Sequence, residues 1–146
     1  MKQLEEFNFS PAARIYVHET GMTFELLDEK FRENTGMVYA WVHEGEIMYI
    51  GKAGKGIRKR LTEHRGGMSA RHGSGTGFRN RSLILDIGGT INVWGRVCNK
   101  GSVTYTDVLG NEVTKTVTME AEEEDQLMGL LQPKWNSSGM AKHKKA

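Results

Sequence analysis

Apolar and polar positions change period several times along the chain. Met37–His43 reads MVYAWVH and Ile47–Ile50 reads IMYI, on either side of the turn His43-Glu44-Gly45-Glu46. Short β-branched and aromatic runs around a Gly-containing turn predict a β-hairpin over 37–50. After the Gly/Lys loop 51–56, Ile57, Leu61 and His64 recur at helical spacing, so 57–65 is expected to be a helix with Arg58, Lys59 and Arg65 spread around it. Residues 66–77 (GGMSARHGSGTG) hold five glycines and predict a mobile loop. A second helix is expected over 80–87, stopped by Gly88-Gly89, and a strand over 91–97. Val103–Val108 and Glu112–Thr118 flank Leu109-Gly110-Asn111 as a second hairpin. Met119–Leu131 is acidic at its start and apolar later, a helix with acids at its positive end, ended by Pro133.

The N-terminal third is less regular. Residues 1–10 predict an arm or short strand. Ser10-Pro11 suits an N-cap and first position for a helix over Ala12–Val17. Phe24, Leu27 and Phe31 fall near helical spacing. The expected fold class is α+β: a small central antiparallel sheet from 37–43, 47–50 and 91–97, flanked by helices 57–65, 80–87 and 119–131. The 146 residues make one domain, with 1–35 as an N-terminal extension and 137–146 as a basic tail.

Composition narrows the function classes. The chain is 38% hydrophobic and 26% charged, a globular balance. No apolar run approaches the roughly 20 residues of a membrane span, and the start, MKQLEEFNFS, has no apolar signal core. A cytoplasmic protein with no membrane partner is expected. The single cysteine, Cys98, excludes an intramolecular disulfide and a zinc site built from cysteines. The formal net charge is only +2, but residues 52–81 carry nine basic groups against Glu63 alone. Lys52, Lys55, Arg58, Lys59, Arg60, Arg65, Arg71, Arg79 and Arg81 make that block a footprint for a polyanion, with nucleic acid the first candidate. Lys142, His143, Lys144 and Lys145 add a second basic cluster at the end.

The glycine loop GKAGKG does not make a P-loop. Ile57 and Arg58 stand where a Lys and a Ser or Thr must meet phosphate and magnesium. A different constellation carries more chemistry. Tyr39 and Tyr49 lie on paired strands, and Arg60 and His64 are spaced i, i+4, so both can face the sheet. Glu122-Glu123-Glu124-Asp125 supplies carboxylate oxygens suited to magnesium. Phosphodiester hydrolysis needs a base near water, a cation on the scissile phosphate, and a metal against the charge that develops.

These residues resemble the GIY-YIG nucleases. The first signature corresponds to Met37-Val38-Tyr39, with Met in place of its first Gly, and the second to Tyr49-Ile50-Gly51. RKRLTEH carries the Arg60 and His64 of the pattern, and Glu124, Leu127, Met128, Leu131, Pro133 and Asn136 match its late segment. The resemblance spans about residues 36–136, and two branches are most similar: small phage endonucleases that degrade host DNA, and type II restriction endonucleases. It implies a divalent-metal-dependent endonuclease on double-stranded DNA. Glu124 would hold one Mg2+ or Mn2+, with Glu123 as the alternative register. Arg60 would stabilise the phosphate, and Tyr39, helped by His64, would act on the attacking water. Tyr49 would orient phosphate or water, Lys52 would touch phosphate or tune a tyrosine, and Asn136 would brace the strands. The segment 66–81 would clamp DNA through Arg71, Arg79 and Arg81. A double-strand cut needs two active sites, so a homodimer or higher homo-oligomer is expected. The alternative from another class is a catalytically silent nucleic-acid-binding module.

Overall fold

The structure, a computed structural model, describes residues 1–33 and 35–136. The expected first hairpin forms from β-strands at Met37–His43 and Glu46–Ala53. Its two-residue turn, Glu44-Gly45, has positive φ at both positions (48° and 76°), the mirror-image turn that matches strand twist. Five strands make one antiparallel sheet. In chain order they are β1 (Ser10–His18), β2 (Gly21–Leu26), β3 (Met37–His43), β4 (Glu46–Ala53) and β5 (Thr90–Val97), and in space they run β2-β1-β5-β3-β4.

Two of these strands correct the sequence reading. Residues 1–33 do not form an appended extension: they carry β1 and β2, with short helices α1 (Lys2–Glu5) and α2 (Lys30–Glu33). The expected helix at 12–17 is strand β1. Ala13, Ile15 and Val17 are buried there and alternate with Arg14, Tyr16 and His18, a period of two that outweighs the Pro11 start signal. The spacing of Phe24, Leu27 and Phe31 is likewise not one helix face: Phe24 lies in β2 and packs against the core from there, Leu27 is 45% exposed, and Phe31 is buried.

Helices cover both faces of the β3–β4 half of the sheet. Met37, Tyr39 and Trp41 point to a core shared with α3 (Ile57–Met68) and α4 (Gly75–Asp86). Val38, Ala40 and Val42 point to a second core with Leu4 of α1 and Leu127 and Met128 of α5 (Glu120–Leu131). That is why β3 reads as a continuous apolar run: it is buried on both sides.

The glycine-rich stretch is not a mobile loop. Residues 66–68 complete α3, and α4 begins at Gly75. A Cβ on Gly77 would overlap the backbone of Gly67, so these glycines let α3 and α4 touch backbone to backbone. Ser74 caps α4 by accepting from the Gly77 N–H at 3.0 Å. The second expected hairpin forms as a separate two-stranded sheet of β6 (Lys100–Thr106) and β7 (Glu112–Thr118). Val108 at its tip is 100% exposed.

After α5 the chain runs along the free edge of β4. Trp135 N–H donates to the Met48 carbonyl at 2.7 Å, and Lys134 N–H to that of Ile47 at 3.3 Å. Pairing of this kind blunts an edge strand. Lys142, His143, Lys144 and Lys145 lie outside the described residues. Among those described, no helix is long and apolar enough to cross a membrane.

Candidate active site

Tyr39 sits where the sheet makes room for its ring. Its register partners are Gly51 on β4 and Gly95 on β5. A Cβ on Gly51 would run into the Tyr39 hydroxyl and ring, so the glycine that ends YIG is required by Tyr39 packing across it. Tyr49 shares the same face, opposite Trp41. From the helix side, α3 buries Ile57, Leu61 and His64 toward the sheet, and Arg60 lies one turn before His64. The Tyr39 hydroxyl lies 2.7 Å from His64 Nε2. Ring centroids of Tyr39, Tyr49 and His64 stand 5.9 to 6.4 Å apart.

Charge orders this pair. Arg60 is half-buried and its guanidinium reaches the Tyr39 hydroxyl. A phenol is the stronger donor and a neutral imidazole nitrogen the stronger acceptor, so the Tyr39 hydroxyl donates to His64 Nε2 while the Arg60 charge faces its oxygen. Burial pushes the Tyr39 hydroxyl well above the usual tyrosine range, and Tyr49 adds to this against the pull of Arg60. Burial and then the Arg60 charge push His64 down to about 3. The resting pair is therefore a neutral phenol donating to a neutral imidazole. Arg60 also pairs with Glu63 at 3.1 Å.

On α5, neighbouring glutamates have opposite fates because adjacent helix positions point about 100° apart. Glu123 is buried with both oxygens engaged: Oε1 accepts from Arg96 Nε at 2.7 Å and Oε2 from Asn99 N–H at 2.9 Å. Burial works against its charge, but these donors hold it below the ordinary range. Glu124 is half-buried beside β4, facing Lys52, whose backbone N–H and charge favour the carboxylate, as does Arg60. Burial nevertheless pushes it above the ordinary range. Between β4 and α5 opens a cleft of about 310 Å³ lined in part by Lys52, Lys55, Arg60, Glu63 and Glu120.

No protein-family model matches the chain, and no curated protein matches it. Solved structures share its fold, among them the two that follow. A mutant of bacteriophage T4 EndoII superposes with a TM-score of 0.66 at 22% identity, covering 94% of this chain and 98% of that one. The restriction endonuclease HPY188I, in complex with product DNA, gives 0.60 at 22% identity, covering 87% of this chain and 76% of that one. The chain thus shares with both structures an α+β fold, a five-stranded antiparallel sheet flanked by helices.

Within this fold, the chemistry of the donors can be tested against a divalent cation. Among the described residues, no three His, Cys, Asp or Glu side chains converge into a cage. A hydrated magnesium, which keeps most of its waters and takes one or two carboxylates, needs no cage. Glu124 offers a hard oxygen beside Lys52 and Arg60, which line the cleft. One turn earlier on the same helix, Glu120 Oε2 is buried and has no hydrogen-bond partner. The donor set fits that ion.

The other expected site residues divide. Lys52 and Lys55 reach the cleft. Asn136 does not act there: its Oδ1 accepts from Ile50 N–H and its Nδ2 donates to Ile50 O, each at 2.8 Å, which locks the terminal segment onto β4. Arg58, Lys59, Arg65, Arg71 and Arg79 are exposed. Arg65 stacks on Phe24, and Arg79 Nη2 donates to the Trp135 carbonyl at 3.4 Å. Arg81 is tied inward, donating to Met68 O at 3.0 Å and lying over Phe78. The sequence reading passed over Trp41, Gly95 and Glu120. Trp41 follows Tyr39 by two on one strand and Glu120 precedes Glu124 by four on one helix, so both periods carried a signal; Gly95 had none without the strand pairing.

Proposed function

We propose that this chain is a divalent-metal-dependent DNA endonuclease that hydrolyses phosphodiester bonds in double-stranded DNA. The observation that carries the reading is the buried Tyr39–His64 hydrogen bond beside Arg60, which lines a cleft with Lys52 and Lys55, and the Glu124 carboxylate that Lys52 and Arg60 face. The endonuclease neighbours and the basic face of α3 support it.

Arg60 binds the scissile phosphate and stabilises its charge in the transition state. A bound phosphate offsets the Arg60 charge that depresses His64, so the imidazole becomes a better proton acceptor once DNA is in place. Tyr39 is too weak an acid to wait as phenolate. It relays instead, passing its hydroxyl proton to His64 Nε2 as its oxygen takes one from the attacking water. Tyr49 orients the phosphate, and Lys52 and Lys55 add cationic contacts. Glu124, with Glu120 beside it, would hold Mg2+ or Mn2+, which would lower the cost of charge on the phosphate oxygens. Arg58, Lys59, Arg65, Arg71 and Arg79 meet the DNA backbone.

Among endonuclease types, the host-DNA-degrading phage kind is favoured over the restriction kind, because the phage neighbour is covered almost end to end while a quarter of the restriction enzyme has no counterpart here. Cutting both strands takes two such clefts, so the enzyme works as a homodimer or higher homo-oligomer. Supercoiled plasmid incubated with protein and Mg2+ tests the reading. Nicked or linear product that disappears with EDTA supports it, and unchanged plasmid retained in a gel shift would instead indicate a silent binding module.

A further inference from the structure

Trp41 is fully buried on β3, two residues beyond Tyr39, and its indole N–H is buried with no hydrogen-bond partner. A core position chosen for packing alone avoids that cost, since a hydrocarbon side chain fills space without stranding a donor. The ring makes contacts that a smaller side chain could not. Its centroid lies 4.7 Å from that of Tyr49 and 5.0 Å from that of His64, with Trp135 backing it edge-on at 6.4 Å. It therefore forms a wall along the imidazole that receives the Tyr39 proton.

We propose that Trp41 is a positioning residue: its indole fixes the His64 ring with Nε2 on the Tyr39 hydroxyl and keeps water from that hydrogen bond. The imidazole cannot turn over without striking the indole, and water cannot take the place of the phenol. The charged and titratable groups facing His64 are Tyr39 from β3, Tyr49 from β4 and Arg60 from its own helix. None of them is a carboxylate that would hold an imidazolium, so a dry wall is enough to keep the ring neutral and in one tautomer. The catalytic consequence rests on the endonuclease reading, but the geometric claim does not.

The test is 15N-histidine NMR on the full chain, which reads imidazole tautomer and protonation without any cleavage. In the wild type, His64 is expected to stay neutral from pH 7.5 to pH 5, with Nδ1 protonated and Nε2 bare. Trp41→Phe, which keeps an aromatic ring against His64 and removes the stranded N–H, should retain that signature. Trp41→Met, which fills space without a flat face, should show mixed tautomers and a His64 that titrates within that range. Its kcat should drop at least tenfold at pH 6, with KM little changed. A wild-type His64 that titrates near 6.5 overturns the proposal even if no variant folds. So does a Trp41→Met protein with an unaltered His64 spectrum. Loss of the signature in Trp41→Phe as well as Trp41→Met also overturns it, by assigning the effect to core packing. If the NMR result holds and no cleavage is found in the wild type, the endonuclease reading fails and the positioning role stands.

Discussion

Replacing His64 with Gln should remove most of the acid sensitivity of the fold between pH 7 and pH 5. His64 is depressed from 6.5 to about 3 by burial and by Arg60. Between those values the unfolded chain binds a proton on this residue and the native chain does not. Stability therefore falls as pH falls, by about 1.4 kcal/mol per unit. From pH 7 to pH 5 the loss amounts to about 2 kcal/mol, allowing for the partial protonation of the unfolded state near pH 7. Two carboxylates add terms of their own at the acid end. Glu123, held below its ordinary value, contributes stability that is lost as pH falls below about 4.5, whereas Glu124, held above it, gives a term of opposite sign near and above that value. The Gln variant retains both, so the difference between the proteins isolates His64. Gln is close in size and its amide oxygen can still accept from Tyr39. Urea unfolding followed by tryptophan fluorescence at the two pH values gives the numbers. The wild type should lose about 2 kcal/mol more than the variant. Equal losses would refute the reasoning, since they would mean that native His64 takes up its proton as readily as a solvated imidazole.

Gly51→Ala should cut turnover by at least tenfold while leaving a folded protein, because the added methyl displaces the Tyr39 hydroxyl from His64 and Arg60; cleavage rate against circular dichroism checks it. Glu123→Gln should lower stability by roughly 3 kcal/mol by breaking the largely buried ion pair with Arg96, whereas Glu124→Gln should leave stability nearly unchanged or raised, and thermal unfolding of the two distinguishes them. Gly77→Ala should destabilise sharply despite the better helix propensity of alanine, because α3 and α4 must part; a raised melting temperature would contradict the close packing. Charge reversal at Arg71 and Arg79 together should weaken DNA binding and flatten its salt dependence, and an unchanged slope would remove that surface from the interface.

Local signals made the hairpin of β3 and β4 legible. Alternation, a Gly-containing turn and β-branched composition all agree over 37–53, and strand pairing follows from them. Convergence of Tyr39 and Tyr49 with Arg60 and His64 was legible for the same reason: it needs only a two-residue period on strands and a four-residue period on the next helix. β1 was obscured by competing local signals, since Ser10-Pro11 resembles a helix start and only pairing with β2 and β5 decides otherwise. The glycines of 66–77 look flexible by propensity. Contact between Gly67 and Gly77, ten residues apart, overrides that propensity, and no local pattern announces it. The choice between Glu123 and Glu124 was open because it depends on Arg96, a residue of β5 whose side chain pairs with Glu123.

The central claim is that Arg60 and Glu124 act together on a scissile phosphate, with Glu123 serving the fold. The most direct measurement is single-turnover cleavage of plasmid DNA with Mg2+ by the wild type, Arg60→Ala, Glu124→Ala and Glu123→Ala at equal fractions of folded, DNA-bound protein. The account predicts loss of cleavage by at least a thousandfold in the first two variants with DNA still bound, and retained cleavage in Glu123→Ala. Normal cleavage by Glu124→Ala, or its loss only in Glu123→Ala, would contradict it.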